Sequence, residues 1–536
     1  MDPHAVSEQT VADVYASELV AFGVRYIFGL PGTSSLGLVE AVRKQPGLTY
    51  IVFRHESNAA MAASAYAKLT GTVGVCLTIA GPGATNLVTG LYDAKEDHAP
   101  VIALNGQTEV QYTGPGGVQE IDQDALFRPV TVYNTTVADR SRAVLLLTRA
   151  LKYALVQRGV SQVSVPNNIQ KQPLEASFCS RETCIPAISI VPPEDLIQKV
   201  ADRINAAERP VILAGWGAYP AGRDVLAMAE TLGAPILTTF RAKGMLPEDS
   251  DWVLGILGNV GSPFARKAAE DSDLLITLGV GFSKFTNVPS DKALLQVDID
   301  PVRLGRNART HSVYANCADL LPLLLPRLRK RECAEKKNDV ARMQREWNLQ
   351  REQEADSTAI PLRPPYIMKV LSDIIPNDAV IGLDVGENQW WFGRNFRMKQ
   401  QRFVMSGYLA TMGFGFPASL AAKLAFPDRP VFCITGDGGF SMAMNDFVTA
   451  VKYHLPVVVV ILNNRQLGMI QVEQMTEHYP NFATDLLNPD FVQYAKACGG
   501  DGIRVSRPDE LEGAVRWAMA MDKPVIVDVD TDPKRF

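Results

Sequence analysis

The sequence predicts an α/β protein built from three doubly wound parallel-sheet domains. The chain has 536 residues, which is too long for a single hydrophobic core. Apolar runs of strand length alternate with stretches of helical periodicity along the chain. The clearest unit, residues 431–464, has an apolar run on each side of a helical stretch from Phe440 to His454. This is the pattern of a right-handed βαβ crossover.

A first domain is expected over residues 1–175, because its helices begin just after strands end, as they do in a doubly wound sheet. Its first elements are expected to be helix Thr10–Phe22, strand Arg25–Phe28, helix Leu36–Val42, strand Thr49–Phe53, helix Glu56–Leu69 and strand Gly74–Thr78. Residues 175–193 lack periodicity and contain several prolines, so they predict a linker.

A central domain is expected over residues 190–330, and a third over residues 363–536 after a proline-rich boundary. The expected central strands are Pro210–Ala214, Pro235–Thr238, Leu274–Thr277 and Ala293–Val297. Residues 327–356 are highly charged, and we expect a solvated helix and a connector there rather than a binding surface. The first and third domains share a strand–helix rhythm without an evident sequence repeat.

Composition and charge exclude several classes of function. Apolar residues are 47% and charged residues 21% of the chain, as in ordinary globular proteins. A net charge of −5 gives no basic surface that would indicate nucleic acid as a partner. No membrane partner is expected, because no apolar run reaches the roughly 18 residues of a span. The N-terminus does not resemble a signal peptide. Seven scattered cysteines without a CxxC pair favour a reducing, cytoplasmic location and no zinc site.

Polar side chains follow both strands of the 431–464 unit. Asp437 lies in a glycine-rich turn after the first strand, and Asn464 follows the second. Because adjacent parallel strands end at the same edge of a sheet, these two side chains are expected to lie close together. Carboxylate and amide oxygens suit Mg²⁺ when phosphates and water complete its shell. The glycines that would let a diphosphate approach the backbone are Gly436, Gly438 and Gly439.

Glu56 follows a strand of the first domain and begins a helix rich in small residues. A glutamate in the first turn of a helix usually complements the helix dipole. Taken alone, Glu56 fits that structural role better than a catalytic one. The catalytic interpretation gains weight only when the turn at Asp437 and the pair Asn463-Asn464 are considered with it.

The Gly-Asp-Gly turn and the Asn-Asn pair, at this spacing, resemble the thiamine diphosphate (ThDP) binding motif. Residues 54–86, RHESNAAMAASAYAKLTGTVGVCLTIAGPGATN, are similar to the pyrimidine-binding domain of ThDP enzymes of the pyruvate oxidase and acetohydroxyacid (acetolactate) synthase group. The resemblance covers essentially the whole chain. It implies a pyrimidine-binding domain, a central FAD-binding-like domain and a diphosphate-binding domain.

The resemblance also implies roles for single residues. Glu56 would activate the cofactor, Gln119 would be a polar group over the substrate, and Met412 would hold ThDP in a bent form. The implied Mg²⁺ ligands are Asp437, Asn464 and the backbone carbonyl of Gln466. Further residues implied near the cofactor or the substrate channel are Gly32, Gly81, Pro82, Gly83, Asn86, Val385, Gly386, Glu387, Met469 and Ile470.

In this family ThDP removes CO₂ from a 2-keto acid, and the remaining enamine is protonated, joined to a second keto acid or oxidised by flavin. The central domain resembles the FAD-binding domain of the oxidases and synthases. The residues that carry this likeness are Gly215, Gly217, Thr238, Arg241, Gly281, Asp298 and Asp300. Related domains bind ADP or no nucleotide, so the occupant of this domain stays open.

Glu473 favours oxidase chemistry, because pyruvate oxidases carry a glutamate here and the synthases usually carry tryptophan. Two features point the other way: Val118 stands where the oxidases have an aromatic residue, and Met469 is more synthase-like. We therefore expect a ThDP- and Mg²⁺-dependent enzyme for pyruvate or a similar small 2-keto acid. Pyruvate oxidase is the first expectation, acetolactate synthase the second and a catalytically silent binding subunit the third.

The resemblance implies at least a homodimer, and often a homotetramer. In this family the residue matched by Glu56 and the Gly-Asp-Gly turn face each other from different subunits. No segment resembles the membrane-binding tail of quinone-linked oxidases. An oxidase of this kind is therefore expected to use oxygen or a soluble electron acceptor.

Overall fold

Three six-stranded sheets form the framework of the computed structural model, which describes residues 9–533. Every strand pair within these sheets is parallel. Helices connect the strands, which confirms the predicted fold class. Within the described range, no helix is both long enough and apolar enough to cross a membrane.

The strands of the first sheet are β1 (Tyr26–Gly29), β2 (Thr49–Val52), β3 (Gly74–Thr78), β4 (Val101–Gln107), β5 (Tyr133–Thr136) and β6 (Val160–Pro166). Their order in space is β2-β1-β3-β4-β6-β5. The helices of this part of the chain are α1 (Val11–Ala21), α2 (Leu36–Lys44), α3 (Glu56–Thr70), α4 (Pro82–Asn86), α5 (Val88–Glu96), α6 (Gln123–Phe127), α7 (Ala143–Gln157), α8 (Asn167–Gln170) and α9 (Arg181–Cys184).

The strands of the central sheet are β7 (Pro210–Ala214), β8 (Ile236–Thr238), β9 (Val253–Ile256), β10 (Leu274–Leu278), β11 (Leu294–Asp298) and β12 (Thr310–Tyr314). Their order is β12-β11-β10-β7-β8-β9, so the chain reverses direction across the sheet between β7 and β10. Open α/β sheets bind ligands at such a switch point. The accompanying helices are α10 (Glu194–Ala206), α11 (Gly222–Leu232), α12 (Pro263–Asp271), α13 (Cys317–Leu324) and α14 (Ala334–Glu354).

The strands of the third sheet are β13 (Val380–Leu383), β14 (Arg402–Met405), β15 (Val431–Gly436), β16 (Val458–Asn463), β17 (Asp501–Val505) and β18 (Val525–Asp530). Their order, β14-β13-β15-β16-β18-β17, repeats the topology of the first sheet. The helices are α15 (Pro364–Ile374), α16 (Glu387–Asn395), α17 (Gly415–Ala425), α18 (Asp437–Ala443), α19 (Phe447–Lys452), α20 (Gly468–Thr476), α21 (Phe491–Ala497) and α22 (Pro508–Met519). The shared rhythm seen in the sequence thus reflects a shared fold.

The predicted elements lie within one or two residues of the observed ones, with two kinds of error. Strands β9 and β12 are absent from the predicted central strands. The single helix expected between Phe440 and His454 is instead α18, a 3-10 turn at Met444–Asp446, and α19. Helical periodicity continues across the turn, so the sequence does not reveal the break. The predicted domain boundaries stay predictions.

The charged segment after the central domain is more than a solvated helix. Helix α14 buries Trp347 and Arg351, and Arg351 donates to Glu248 over 3.1 Å. One face of the helix is therefore docked on the central domain. Residue charge alone could not predict this, because an arginine that has a carboxylate partner can be buried.

The linker contains a structure that the cysteine count did not predict. Helix α9 brings Cys179 and Cys184 to a Cα–Cα distance of 5.9 Å, and the two form a disulfide. The expectation of scattered, reduced thiols is therefore wrong for this pair. Their separation of five residues matches none of the spacings that identify a motif.

The first and third domains share a hydrophobic core. Helices α3 and α17 pack against each other, and small residues of α3 such as Ala59 and Ala63 belong to the same buried cluster as Phe416 of α17. Small side chains let the two helices approach closely. This interface sets the relative placement of the two domains in one chain.

Glu18 on α1 is fully buried in the first domain. It accepts a hydrogen bond from Thr148, while its Oε2 has no partner within the described part of the chain. Burial raises the pKa of Glu18 to about 7. A raised pKa in the folded state stabilises the protein below the ordinary value near 4.5, and this contribution is lost as the pH rises through 7.

Glu18→Gln removes this titration and should reveal it. Between pH 5 and pH 8 the wild type should lose on the order of 3 kcal/mol of stability relative to the variant. The apparent thermal midpoints of both proteins at the two pH values measure the effect. A difference between the two proteins that does not change with pH would contradict it.

Candidate active site

The carboxyl ends of β15 and β16 bring the predicted metal ligands to one edge of the third sheet. Gly436 and Leu462 are register partners, so Asp437 and Asn463 follow at neighbouring strand ends. Asp437 begins α18 and is only 2% exposed. Burial raises the pKa of its carboxyl group, and a hydrogen bond from Asn488 opposes that shift.

The side chain of Asn464 is oriented by two hydrogen bonds. Its Nδ2 donates to Glu387 Oε2 over 3.1 Å, and its Oδ1 accepts from the backbone N–H of Gln466 over 3.0 Å. These two bonds distinguish the amide nitrogen from the amide oxygen. The oxygen points toward the loop that contains Gln466, and one of its lone pairs remains available to a cation. Glu387, expected near the diphosphate, therefore also orients a predicted metal ligand.

Asn488 is a site residue that the sequence analysis missed. Its Nδ2 donates to Asp437 Oδ2 over 2.6 Å and to Asn463 Oδ1 over 3.0 Å. Asn463 in turn donates to Asp528 over 2.9 Å. Asn488 lies 51 residues after Asp437, and no spacing rule links the two, so only the fold reveals this contact.

Two helices begin at the same edge of the sheet. Helix α16 begins at Glu387 after Gly386, whose φ of +125° favours glycine, and α18 begins at Asp437 after Gly436. Val385 lies directly before Gly386, at the start of α16. The unpaired N–H groups of a helix N-terminus attract anions such as phosphate. The predicted diphosphate residues therefore surround a position suited to that group.

Asp384 joins the loops of this site and was not predicted. Its fully buried carboxylate accepts from the backbone N–H groups of Val385 (2.7 Å), Gly413 (2.9 Å) and Gly415 (3.2 Å), and from Thr435 Oγ1 (3.2 Å). Burial raises its pKa to about 6, although all four donors oppose the shift. A single acid thus holds three loops in place.

Met412, which the resemblance implies as the support of a bent cofactor, lies beside the glycine turn. A Cβ built on Gly438 would be 3.3 Å from Met412 Cε and 3.2 Å from side-chain atoms of Leu467 and Leu486. These three apolar side chains enclose one side of the turn. The arrangement fits an apolar support beside a bound ring.

Helix α20 carries the residues expected beside the substrate. Met469 and Glu473 are four residues apart and share one face of the helix. Glu473 is exposed, and Ile470 is 45% exposed. The loop before the helix carries Gln466, whose buried Oε1 has no hydrogen-bond partner among residues 9–533.

The first domain gathers its own predicted residues at the carboxyl ends of β1, β2 and β3. Glu56 is the first residue of α3 and is 6% exposed. Asn86 donates to Glu56 Oε2 over 2.9 Å. A Cβ built on Gly83 would be 3.5 Å from Glu56 Oε1. The glycine therefore leaves the glutamate accessible from that side.

The other predicted residues of this domain line the same edge. Gln119 lies against Gly81, whose added Cβ would be 2.8 Å from the Gln119 carbonyl oxygen. Pro82 begins α4 directly after Gly81. Gly32 lies against Ile79, where an added Cβ would clash at 2.1 Å. The structure therefore places all of the first-domain site residues together.

The glycines of the central domain lie at the switch point of the sheet. A Cβ on Gly215 would be 2.1 Å from the Gly279 carbonyl oxygen, and one on Gly217 would be 2.9 Å from the Gly279 Cα. Close packing of two strand-end loops explains these glycines. That explanation and a nucleotide site are compatible, since both need a bare backbone at the switch point.

Two predicted nucleotide-binding residues have protein partners. Arg241 pairs with Asp97 of the first domain at 3.0 Å, and its guanidinium lies 5.3 Å from the centre of the Trp216 ring. The carbonyl of Gly281 accepts a hydrogen bond from the hydroxyl of Tyr408 over 2.5 Å. Both contacts join the central domain to its neighbours.

The remaining predicted residues follow strands β8 and β11. Thr238 is buried at the end of β8. Asp298 ends β11 and accepts from the backbone N–H of Asp300 over 2.9 Å, and burial raises its pKa. Asp300 accepts from the N–H of Val302 and pairs with Arg303, so it serves as a helix cap.

The donor set of the third domain fits Mg²⁺ and a diphosphate. The site offers one buried carboxylate, an oriented amide oxygen and backbone carbonyls, which are the hard oxygen ligands of that ion. In residues 9–533 no group of three or more His, Cys, Asp or Glu side chains could hold a metal ion. A site with a single carboxylate depends on the ligand's own phosphates to complete the metal shell.

Comparisons with known proteins agree with this arrangement. Models of the thiamine pyrophosphate enzyme family match the chain in three parts: the N-terminal TPP binding domain at residues 9–126, the central domain at 197–324 and the C-terminal TPP binding domain at 384–529. Thiamine pyrophosphate is another name for ThDP.

Three relatives match nearly the full chain. A putative thiamine pyrophosphate-containing protein, YdaP, of Bacillus subtilis is 38% identical, covering 98% of this chain and 92% of the relative. A probable acetolactate synthase large subunit of Methanocaldococcus jannaschii is 34% identical, with 97% and 92% covered. The pyruvate oxidase of Lactiplantibacillus plantarum is 32% identical, with 95% and 86% covered.

The site residues form two half-sites, one around Glu56 in the first domain and one around Asp437 in the third. Together with the three parallel α/β domains, these half-sites define a ThDP-dependent enzyme. The chain belongs to the thiamine pyrophosphate enzyme family that includes the pyruvate oxidases and acetolactate synthases. It is a ThDP-dependent 2-keto acid enzyme, either an oxidase or a carboligase.

Gly439→Ala tests whether the turn and Asp384 act as one structure. The added methyl would meet Asp384 Cγ at 2.9 Å and Thr435 Oγ1 at 3.0 Å. Overpacking costs about 1–3 kcal/mol, and we expect the turn to shift away from Asp384 to relieve it. Binding of ThDP must then restore the turn, so the affinity for ThDP should fall about tenfold. Titration calorimetry of the apoenzyme with ThDP and Mg²⁺ measures it. Gly513→Ala, on α22 with no neighbouring atoms within 4 Å, is the matched control. Equal affinities in both variants would contradict the prediction.

Proposed function

We propose that the protein is a ThDP- and Mg²⁺-dependent enzyme that decarboxylates pyruvate or a similar small 2-keto acid and oxidises the remaining two-carbon unit through FAD. When bound, ThDP supplies the electron sink for decarboxylation and FAD accepts two electrons. The placement of Asp437 and the oriented Asn464 at adjacent strand ends carries the first part of the proposal. Glu473 on α20 carries the second.

The residues of the third domain would hold the diphosphate end of the cofactor. Asp437, the Oδ1 of Asn464 and the carbonyl of Gln466 would bind Mg²⁺, while the N-termini of α16 and α18 would donate hydrogen bonds to phosphate oxygens. Met412 would supply an apolar contact to the cofactor beside the glycine turn. Asn488 and Glu387 would keep the two side-chain ligands oriented through the hydrogen bonds described above.

Glu56 would exchange a proton with the pyrimidine ring. Its carboxylate is buried and held by Asn86, so one oxygen is fixed and the other faces the space left by Gly83. A proton held at that oxygen would favour the ring tautomer that activates the cofactor. Gln119, beside Gly81, would donate a hydrogen bond to the substrate carboxylate.

The oxidase proposal depends on the chemistry of Glu473. An exposed carboxylate one helical turn from Met469 can orient water or phosphate toward an acyl group. It offers no apolar surface to a second keto acid. Thr238 and Asp298, with the glycines of the switch point, would bind FAD at the carboxyl edge of the central sheet.

Acetolactate synthesis is the second candidate function. Met469 and Val118 favour it, because both positions differ from the oxidase pattern. Val118 is 88% exposed, so it provides an apolar surface beside Gln119. The relatives named acetolactate synthase support this candidate as the relative named pyruvate oxidase supports the first.

We further propose that two copies of the chain share each active site. Several large apolar side chains are exposed near the two half-sites: Val110, Tyr112, Val118, Met442, Ile470, Met475, Tyr479, Phe482 and Leu487. Exposed apolar groups beside a site indicate a surface that a partner covers. A second copy would cover them and bring the Glu56 half-site of one subunit to the Asp437 half-site of the other.

Asp437→Ala should abolish ThDP retention, because the diphosphate loses the carboxylate that anchors its Mg²⁺ bridge. Treatment of the native enzyme with a chelator should have the same effect. Retention is measured as ThDP that remains with the protein after gel filtration. If neither change alters it, the metal assignment is wrong.

Product analysis separates the two candidate functions. With pyruvate, phosphate and an electron acceptor, the wild type should form acetate or acetyl phosphate faster than acetolactate, and bound flavin should be reduced. Glu473→Trp should shift the product ratio toward acetolactate, because an aromatic face desolvates the acceptor site. Acetolactate as the main product under all conditions, with oxidised flavin, would replace the first candidate by the second.

A further inference from the structure

Asp446 is a buried acid that connects the third domain to the first. It ends the 3-10 turn after α18, and its side chain is fully buried. Three donors surround its carboxylate: the backbone N–H of Arg54 (2.7 Å), Asn58 Nδ2 (2.5 Å) and Thr449 Oγ1 (2.8 Å). Two of these donors belong to the first domain, so the carboxylate bridges the domains.

The two first-domain donors flank Glu56. Arg54 precedes it by two residues and Asn58 follows it by two. The strand that leads into this turn is held in the same way, since the N–H of Val52 donates to the Tyr453 hydroxyl over 2.9 Å. The junction that carries Glu56 is therefore fastened to the third domain on both sides.

Interdomain stability alone does not explain a buried carboxylate here. Helices α3 and α17 already supply an apolar interface between the domains. Burying a charge costs several kcal/mol before its partners compensate. A carboxylate that accepts hydrogen bonds from both sides of one turn fixes the position of that turn. An apolar contact is less directional and fixes the position less well.

We propose that Asp446 is a positioning residue for Glu56: it fixes the strand–helix junction so that the Glu56 carboxylate meets the cofactor's pyrimidine. This inference rests on the proposed function, in which Glu56 activates ThDP. A misplacement of about 1 Å can cost about 10²-fold in rate. The segment from Asp437 to Asp446 thus holds a candidate metal ligand at one end and the activating turn at the other.

The exchange of the thiazolium C2 hydrogen with deuterium tests the proposal in the holoenzyme. This rate reports cofactor activation without substrate turnover, and NMR of acid-quenched samples measures it. Asp446→Asn should slow exchange about tenfold, with ThDP affinity little changed. The amide retains an acceptor for Arg54 but turns a donor toward Asn58. Asn58→Asp in the same chain supplies an acceptor again and should restore most of the lost rate.

Two further arms separate positioning from general destabilisation. Glu56→Gln should slow exchange about 10²–10⁴-fold, and adding Asp446→Asn to it should cause no further loss. Asp93→Asn, a buried acid bound by Ser64 and by Lys68 near the other end of α3, should lower the thermal midpoint and leave exchange unchanged.

Wild-type exchange in Asp446→Asn would overturn the proposal, and so would a loss that adds fully to that of Glu56→Gln. Asn58→Ala provides a second route should Asp446→Asn fold poorly, and wild-type exchange in that variant would equally count against the proposal. Wild-type exchange in Glu56→Gln would instead refute the proposed role of Glu56 and remove the basis of the inference with it.

Discussion

The hydrogen bonds to the buried carboxylate of Asp384 connect the parts of the third-domain site. They hold three segments at one point near the edge of the sheet: the residues just before α16, the loop that carries Met412, and the end of β15 where the Gly-Asp-Gly turn begins. Gly415 and Gly439 have no side chain because Asp384 occupies the space beside them. The positions of Asp437, Gly386 and Met412 thus depend on one acid that is buried beneath them.

The two half-sites are built on the same fold. The first and third sheets have the same strand order, and in each the site residues lie where parallel strands end and helices begin. One half-site presents a carboxylate that can share a proton, and the other presents oxygen ligands and helix N-termini. Hydrogen bonds at Asp446 and the α3–α17 interface fix the two domains against each other within a chain.

The predicted fold class is confirmed, because apolar strands alternate with helical stretches along the chain. Asp437 and Asn464 could be predicted as neighbours because both follow adjacent parallel strands, whereas the other site residues were implied by the family resemblance and stay predictions. The residues that orient them could not be predicted in this way. Asn488 and Asp446 act on residues far away in the chain, and Asp384 looks like any acid after a strand. Arg241 and Gly281 also make contacts between domains, which the resemblance did not indicate, and their expected role at a nucleotide stays a prediction.

The proposed sharing of one active site by Glu56 of one subunit and Asp437 of another can be tested directly in mixed dimers. Co-expression of Glu56→Gln and Asp437→Ala chains with different tags, followed by tandem purification, isolates mixed dimers. Such a dimer has one doubly altered site and one intact site, so about half of wild-type turnover is expected. If each chain instead formed its own site, the mixed dimers would be no more active than the parent variants.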